Sequence, residues 1–211
     1  MSPAKRALDL IGALLLTVLL APVLLAVALA IWVVDGRPVF YVGERMRGPA
    51  EGFGLAKFRT MRPDASDGGV SGGDKAARIT RTGAWLRRWR LDEMPQLWNV
   101  IRGDISFVGP RPPLRRYVER HPALYAEVLR SRPGLTGLAT LLFSRHEGRL
   151  LSRCTTREQT EAVYERLCVP RKARLDLIYR ERRTLCLDAL IMLATALPRR
   201  WRRRVLGLGR H

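Results

Sequence analysis

Cysteine is scarce in this 211-residue chain: Cys154, Cys168 and Cys186 make an odd count with no CxxC spacing. That argues against a disulfide framework and against a zinc site, and it fits a reducing, cytosol-facing setting. Histidine is equally sparse. His121, His146 and His211 lie far apart, so the sequence indicates neither a histidine-ligated metal nor a histidine-based triad. Acidic residues are outnumbered, 19 Asp+Glu against 38 Lys+Arg, for a formal net charge of +19. A chain so basic keeps polyanionic company, whether nucleic acid, acidic lipid headgroups or a phosphate-rich small molecule. The glycine-rich run PDASDGGVSGGDK, residues 63–75, lacks a Gly-Lys-Ser/Thr element and so is not a P-loop. It reads as a loop, and beside a substrate site as a lid.

What the chain does have is a long apolar run. Residues 10–34 are 25 positions without a charge, flanked by Lys5, Arg6 and Asp9 before and by Asp35 and Arg37 after. That length satisfies a transmembrane helix. A cleaved signal peptide is disfavoured, because the run continues past Ala-Leu-Ala at 28–30 through Ile31, Trp32, Val33 and Val34. A spanning helix would leave a basic flank outside, since Arg37, Arg45 and Arg47 favour the cytosol as Lys5 and Arg6 do. Pro22 divides the run into two halves of 12 residues, each roughly 18 Å as helix and short of a roughly 30 Å hydrocarbon core. It also removes an i→i−4 hydrogen bond, and Thr17 is a nearby hydroxyl that can partner a freed backbone group. The favoured reading is a re-entrant helix-break-helix hairpin that returns both flanks to the cytosol; a simple kinked span stays open. Residues 1–36 are then the membrane hairpin and residues 37–211 a cytosolic, membrane-associated catalytic domain.

Beyond the anchor, RPVFYVGERMRG and FGLAKFRTM read as two short strands joined by a Gly/Pro-containing turn. TRTGAWLRRWRL sets Trp85, Leu86 and Trp89 at helical spacing among Arg87, Arg88 and Arg90. A surface helix with an apolar stripe and a membrane-interface helix both use that composition. Near the C-terminus LCLDALIMLATAL leads through Pro198 to RRWRRR. Those 13 residues are short for a span and include Asp188, so an in-plane or core helix is expected. The fold class expected is α-dominated α+β: a re-entrant membrane segment, a small β-hairpin and several amphipathic interface helices around a compact catalytic domain.

Two adjacent carboxylates, Asp92 and Glu93, sit in a strongly basic stretch: residues 75–115 hold nine Lys/Arg against three Asp/Glu. Residues 92–102, DEMPQLWNVIR, are helix-competent, with Leu97, Val100 and Ile101 on one stripe, Pro95 tolerable in the first turn and Gly103 as a stop. The pair would then open a helix, where unpaired N–H groups and the dipole favour an ionised Asp92. Such a residue is a simple N-cap, or a nucleophile and metal ligand. Arg111, held between prolines in VGPRPP, is a rigid guanidinium suited to pyrophosphate oxygens. Carboxylates beside phosphates repel unless a cation lies between them, and Mg²⁺ is the usual one. An aspartate that attacks a phosphoryl group forms an acyl phosphate and splits one transfer into two steps, while the second carboxylate orients the metal or accepts a proton. The competing reading is a non-catalytic basic adaptor that binds acidic lipid or nucleic acid, with the carboxylates as caps. Nucleic acid is its weaker form, because no reader motif appears and the tryptophans cluster with apolar residues suited to lipid.

KFRTM (57–61), RTGAWLR (81–87), LDEMPQLWNVIRGDISFVGPRP (91–112), RPGLTG (132–137) and LDLIY (175–179) carry a resemblance in order over nearly the whole chain. Together they resemble the bacterial sugar transferase family, the monotopic polyprenyl-phosphate phosphoglycosyl transferases. The resemblance implies transfer of a sugar-1-phosphate from a UDP-sugar to undecaprenyl phosphate through a covalent aspartyl-phosphosugar, the first membrane step of exopolysaccharide, capsule, O-antigen or glycoprotein glycan assembly. It implies Asp92 as nucleophile and Glu93 as its partner, both at a magnesium ion. By the same resemblance Arg87, Arg111, Lys57 and Arg59 bind substrate phosphates, and Pro22 marks the break of a re-entrant anchor in the bacterial cytoplasmic membrane, with the catalytic domain on the cytosolic face. The implied partners are the UDP-sugar, undecaprenyl phosphate and membrane lipids, not nucleic acid; association as a homodimer stays open. Ala21 stands before Pro22 where some relatives have serine, and LATLLFSRHEGRLLS lacks the Asn-Gly-Arg of some members, so the sugar is not specified.

Overall fold

The apolar run folds as one helix. In a computed structural model, whose described residues are 1–64 and 72–197, α1 (Pro3–Asp35) starts at Ser2, which accepts a hydrogen bond from the Lys5 N–H. The chain stays helical through Pro22, so the break expected there is not an interruption of secondary structure. Pro22 withholds one backbone donor and the ladder resumes on either side. Thr17 donates to the Ala13 carbonyl at 2.7 Å, within its own turn, and not to a carbonyl freed by the proline. At 33 residues α1 is about 50 Å long, long and apolar enough to cross a membrane. Only an inner stripe is covered: Asp9, Ala13, Val27 and Ile31 are buried, while Leu15, Val18, Leu19, Leu25 and Val33 face outward.

The body opens with the expected hairpin. β1 (Phe40–Met46) and β2 (Gly52–Phe58) are antiparallel, with Phe40 opposite Phe58 and Met46 opposite Gly52. Phe58 packs with Val27 and Ile31 of α1 and with Leu86 of α2 (Arg81–Trp89). Leu55 packs with Ala13, Leu97, Val100 and Ile105. In α2 the apolar stripe is divided: Leu86 is buried, whereas Trp85 and Trp89 are exposed, as is Trp98 beyond them. Residues 92–102 do not form one helix. A 3-10 turn, Leu91–Glu93, precedes α3 (Gln96–Arg102), because Pro95 can stand before a helix but cannot donate within it.

A second, parallel strand pair escaped the sequence reading: β3 (Ser106–Val108) beside β4 (Gly134–Thr136). Here two segments press backbone on backbone. A Cβ on Gly109 would meet the Arg132 carbonyl at 2.1 Å and one on Gly134 would meet the Gly109 nitrogen at 2.1 Å, so neither position tolerates a side chain. Around this pair run α4 (Arg115–Arg120), α5 (Pro122–Val128), α6 (Leu138–Leu151), α7 (Arg157–Val163), a π-helical turn (Tyr164–Cys168) and α8 (Val169–Arg182). They enclose the largest core cluster, in which Tyr117, Tyr125, Val128, Phe143 and Tyr164 meet Met46 of β1.

The expected C-terminal helix is α9 (Leu185–Ala196), capped by Thr184. Ile191 packs on Tyr179 and Val108, while Leu190, Met192 and Leu193 are exposed. Tyr179 donates to Asp188 Oδ1 at 2.7 Å, and Lys5 reaches Asp188 Oδ2 at 2.5 Å, which ties the first turn of α1 to α9. RRWRRR and residues 65–71 of the glycine-rich run lie outside the described residues, and with them the reading of that run as a lid; Gly73–Arg78 forms a 3-10 turn.

Candidate active site

Two devices place the carboxylate pair. Arg90 ends α2 in the left-handed region at φ 60°, a conformation that costs a non-glycine residue about 1–2 kcal/mol. The chain thereby reverses into Leu91–Glu93 and lays Asp92 and Glu93 against β2. Asn99 fixes the other side: its Oδ1 accepts from the Ala56 N–H at 3.0 Å, and its Nδ2 donates to the Gly54 carbonyl at 2.8 Å and to Asp104 Oδ2 at 3.0 Å. One amide side chain thus extends the ladder at the free edge of β2 and sets α3 beside the strand that carries Lys57. Sequence reasoning missed Asn99; its signal was an asparagine inside a helix, a poor helix former unless its side chain has work elsewhere. At the far end of α3, Arg6 of α1 donates to the Val100 and Ile101 carbonyls, each at 2.6 Å, and caps the helix.

The two carboxylates differ in their surroundings. Arg111 Nη2 donates to Glu93 Oε1 at 2.6 Å, Lys57 Nζ lies 3.5 Å from the same oxygen, and Arg90 Nη1 lies 3.4 Å from Oε2. Burial opposes ionisation of Glu93, but Arg111, Lys57 and Arg90 outweigh it and hold the carboxyl far below the ordinary carboxylate range. Asp92, by contrast, has no hydrogen-bond or ion-pair partner for its carboxylate among the described residues. Burial, followed by the adjacent Glu93 charge, raises its proton affinity above the ordinary value, against the pull of Lys57, Arg87 and Arg90. That reverses the helix-terminus expectation, because the pair stands a turn ahead of α3 and burial, with the Glu93 charge, weighs against ionisation. Lys57, buried and facing Arg111, is lowered to about 8.

Asp92, Lys57, Arg87 and Arg59 all line one cleft of about 650 Å³. Arg87 is fixed there by donation from Nε to Thr60 Oγ1 at 2.9 Å. Arg59, within that lining, also donates from Nη2 to the Asp35 and Gly36 carbonyls at 2.6 and 2.8 Å and caps α1. Arg111 reaches the dyad through Glu93 and lines a second cavity of about 330 Å³; Lys57 and Arg45 border both spaces. Pro22, in α1, is not part of either.

Among the described residues no cluster of three or more His, Cys, Asp and Glu side chains is placed to hold a metal alone. Mg²⁺ takes only one or two carboxylates and completes its shell with phosphate oxygens and water, and the dyad fits that demand. Asp92 presents a partnerless carboxylate, and the Glu93 charge beside it is a repulsion that a cation relieves.

Comparison with known proteins identifies the family. The chain is 39% identical over 199 residues, 90% of its length, to an undecaprenyl-phosphate glucose phosphotransferase of Komagataeibacter xylinus. It is 45% identical over 143 residues, 64% of its length, to a UDP-glucose:undecaprenyl-phosphate glucose-1-phosphate transferase of Caulobacter vibrioides. A UDP-N-acetylgalactosamine-undecaprenyl-phosphate N-acetylgalactosaminephosphotransferase of Aeromonas hydrophila is 33% identical over 144 residues, 65% of the chain. The matched segments make up 35%, 52% and 34% of those longer proteins, so the chain spans about half their length or less. The family model described as bacterial sugar transferase covers residues 1–199, which contain the dyad, its arginines and the helix that caps α3, and the chain belongs to that family.

Proposed function

We propose that the protein transfers a sugar-1-phosphate from a UDP-sugar to undecaprenyl phosphate at the cytosolic face of a membrane. The observation that carries the reading is the asymmetry of the dyad: a partnerless Asp92 carboxylate in a cleft lined by Lys57 and Arg87, beside a Glu93 held ionised by Arg111. In the first step an Asp92 oxygen attacks the phosphorus that bears the sugar. The bond from that phosphorus to the bridging oxygen breaks, and UMP leaves with the electron pair. In the second, a phosphate oxygen of undecaprenyl phosphate attacks the same phosphorus and releases the Asp92 carboxylate, giving a sugar diphospholipid. Lys57, Arg87 and Arg111 balance the charge of the diphosphate, and Glu93 fixes Arg111 and Lys57 against it. A bound Mg²⁺, held by Asp92 and Glu93, supplies charge neutralisation between carboxylate and phosphate. The relatives named above act on glucose and N-acetylgalactosamine donors, so both belong in the donor panel.

The membrane placement follows from α1. Lys5 and Arg6 near its start and Asp35 at its end all bind the same body, Asp35 through Thr80 at 3.0 Å, which supports both flanks on one side of the bilayer. A helix standing across a roughly 30 Å core would separate them. The exposed stripe of α1, with Trp85, Trp89 and Trp98, supplies an apolar and aromatic face for the interface. The test is release of UMP by the full chain in detergent with UDP-sugars, Mg²⁺ and undecaprenyl phosphate, together with covalent capture of labelled phosphosugar on Asp92. Full transfer by Asp92→Asn would overturn the mechanism.

A further inference from the structure

The second cavity, about 330 Å³, lies at the small end of the range typical of ligand pockets, roughly 300–1,000 Å³. Its rim is the basic edge already described, Arg45, Lys57 and Arg111. Its far wall is of another kind, built from Tyr117, Tyr125, Tyr164, Thr140, Ser144 and Asp176. The π-helical turn that carries Tyr164 is a rare element, common at functional sites.

Two carboxylates enter this wall. Glu147 is matched by Lys172 at 2.9 Å, and Lys172 also donates to the Tyr164 hydroxyl at 3.1 Å. Asp176, only 6% exposed, has no hydrogen-bond or ion-pair partner among the described residues. The buried hydroxyl of Tyr117 is also without a partner. Buried polar groups are satisfied in the great majority of cases, so a partnerless carboxylate on a cavity wall indicates a ligand that completes it. Burial pushes the Asp176 carboxyl up to about 7, with Lys172 opposing.

The chemistry of that ligand is constrained from both sides. A carboxylate repels phosphate, so Asp176 is not a phosphate ligand; ionised, it accepts only, and it takes O–H donors. Ser144 and Thr140 each give or accept a hydrogen bond, and tyrosine rings cover the apolar faces of a saturated ring. A polyhydroxylated ring joined to a diphosphate meets every condition, with phosphate at the basic rim and hydroxyls at the far wall. We infer that Asp176 is a specificity-determining residue of the donor site, accepting hydrogen bonds from the hydroxyls of such a ring. The ring is either the transferred sugar or the ribose of the nucleotide. This rests on the reading that the donor is a UDP-sugar whose diphosphate lies at Lys57.

The experiment compares wild type, Asp176→Asn and Asp176→Ala as full chains in detergent. Binding of UDP-glucose and UDP-N-acetylgalactosamine, of their monodeoxy-sugar analogues and of the 2′-deoxyuridine analogues is measured by calorimetry without acceptor lipid, and turnover by UMP release. In the wild type, removal of one hydroxyl is expected to weaken binding about tenfold or more. In Asp176→Ala the same removal is expected to change binding by no more than about twofold, and in Asp176→Asn, whose amide oxygen still accepts, by less than in the wild type. A coupled hydroxyl on the sugar assigns the ring to the transferred group; a coupled ribose hydroxyl assigns it to the nucleotide. A deoxy penalty equal in wild type and variants overturns the inference, as does a wild type that binds no UDP-sugar. Binding with the expected coupling but no UMP release overturns the transfer reading and leaves Asp176 as the ring's acceptor. If Asp176→Ala unfolds, Asp176→Leu, similar in shape and without an acceptor, carries the comparison, its folding checked by its thermal midpoint.

Discussion

The two cavities that meet at Lys57 and Arg45 each present a carboxylate without a hydrogen-bond or ion-pair partner among the described residues. Asp92 lines the larger, next along the chain to a Glu93 clamped by Arg111; Asp176 lines the smaller, beside a Glu147 matched by Lys172. Their neighbours separate the roles. Around Asp92 the nearby groups are cations, which suit phosphate; around Asp176 hydroxyls and rings accompany one lysine, Lys172, that is already engaged by Glu147 and Tyr164. Identical side chains in a basic protein therefore do different chemistry according to what stands across the space from them.

The contrast breaks most readily at the dyad. Asp92→Asn is expected to lower transfer by about 10⁴-fold or more and to abolish covalent capture, since removal of a nucleophile disables both steps. Asp176→Asn should keep the captured intermediate and change donor binding instead. Glu93→Gln is expected to reduce kcat/KM by about 10²-fold, the scale of a lost charged partner in catalysis, while UDP-sugar still protects the protein from thermal unfolding. Asn99→Ala leaves the Gly54 carbonyl and the Ala56 N–H without their partner and should cost about 1–3 kcal/mol of stability, read as a lower thermal midpoint. The mildest change is Lys57→Arg. Lys57 is cationic below about 8 and loses its charge above, so kcat/KM of the wild type should fall as pH rises through that value. Arginine does not titrate there, and the alkaline limb should move up in the variant.

Much of this was legible along the chain, because it is local. The hairpin shows as two apolar stretches around a Gly/Pro turn, and the Asp92–Glu93 pair shows as acid in a basic stretch. The contact of Arg111 with Glu93 spans 18 positions and depends on the turn at Arg90, whose left-handed backbone no residue type announces. β3 and β4 have three residues each, too few to display alternation. Arg59 was named with Lys57 through the KFRTM resemblance, and its reach back to the Asp35 and Gly36 carbonyls at the end of α1 is a long-range contact that no motif shows. Asp176 was visible only as part of LDLIY; its cavity is assembled by α4, α5, α6 and the π turn, which no window of sequence contains.

The cap that Arg6 places on α3 has a practical consequence. The predicted boundary after residue 36 separates the membrane segment from the body in composition but not in packing, since α1 contributes to two core clusters and closes the helix that follows the dyad. Trimming the chain there to obtain a water-soluble enzyme would strip Leu97, Val100, Phe58 and Leu86 of cover and reopen two carbonyls. The smallest workable preparation is thus a whole chain in a micelle or nanodisc, with the amphiphile wetting only the outer side of its first helix.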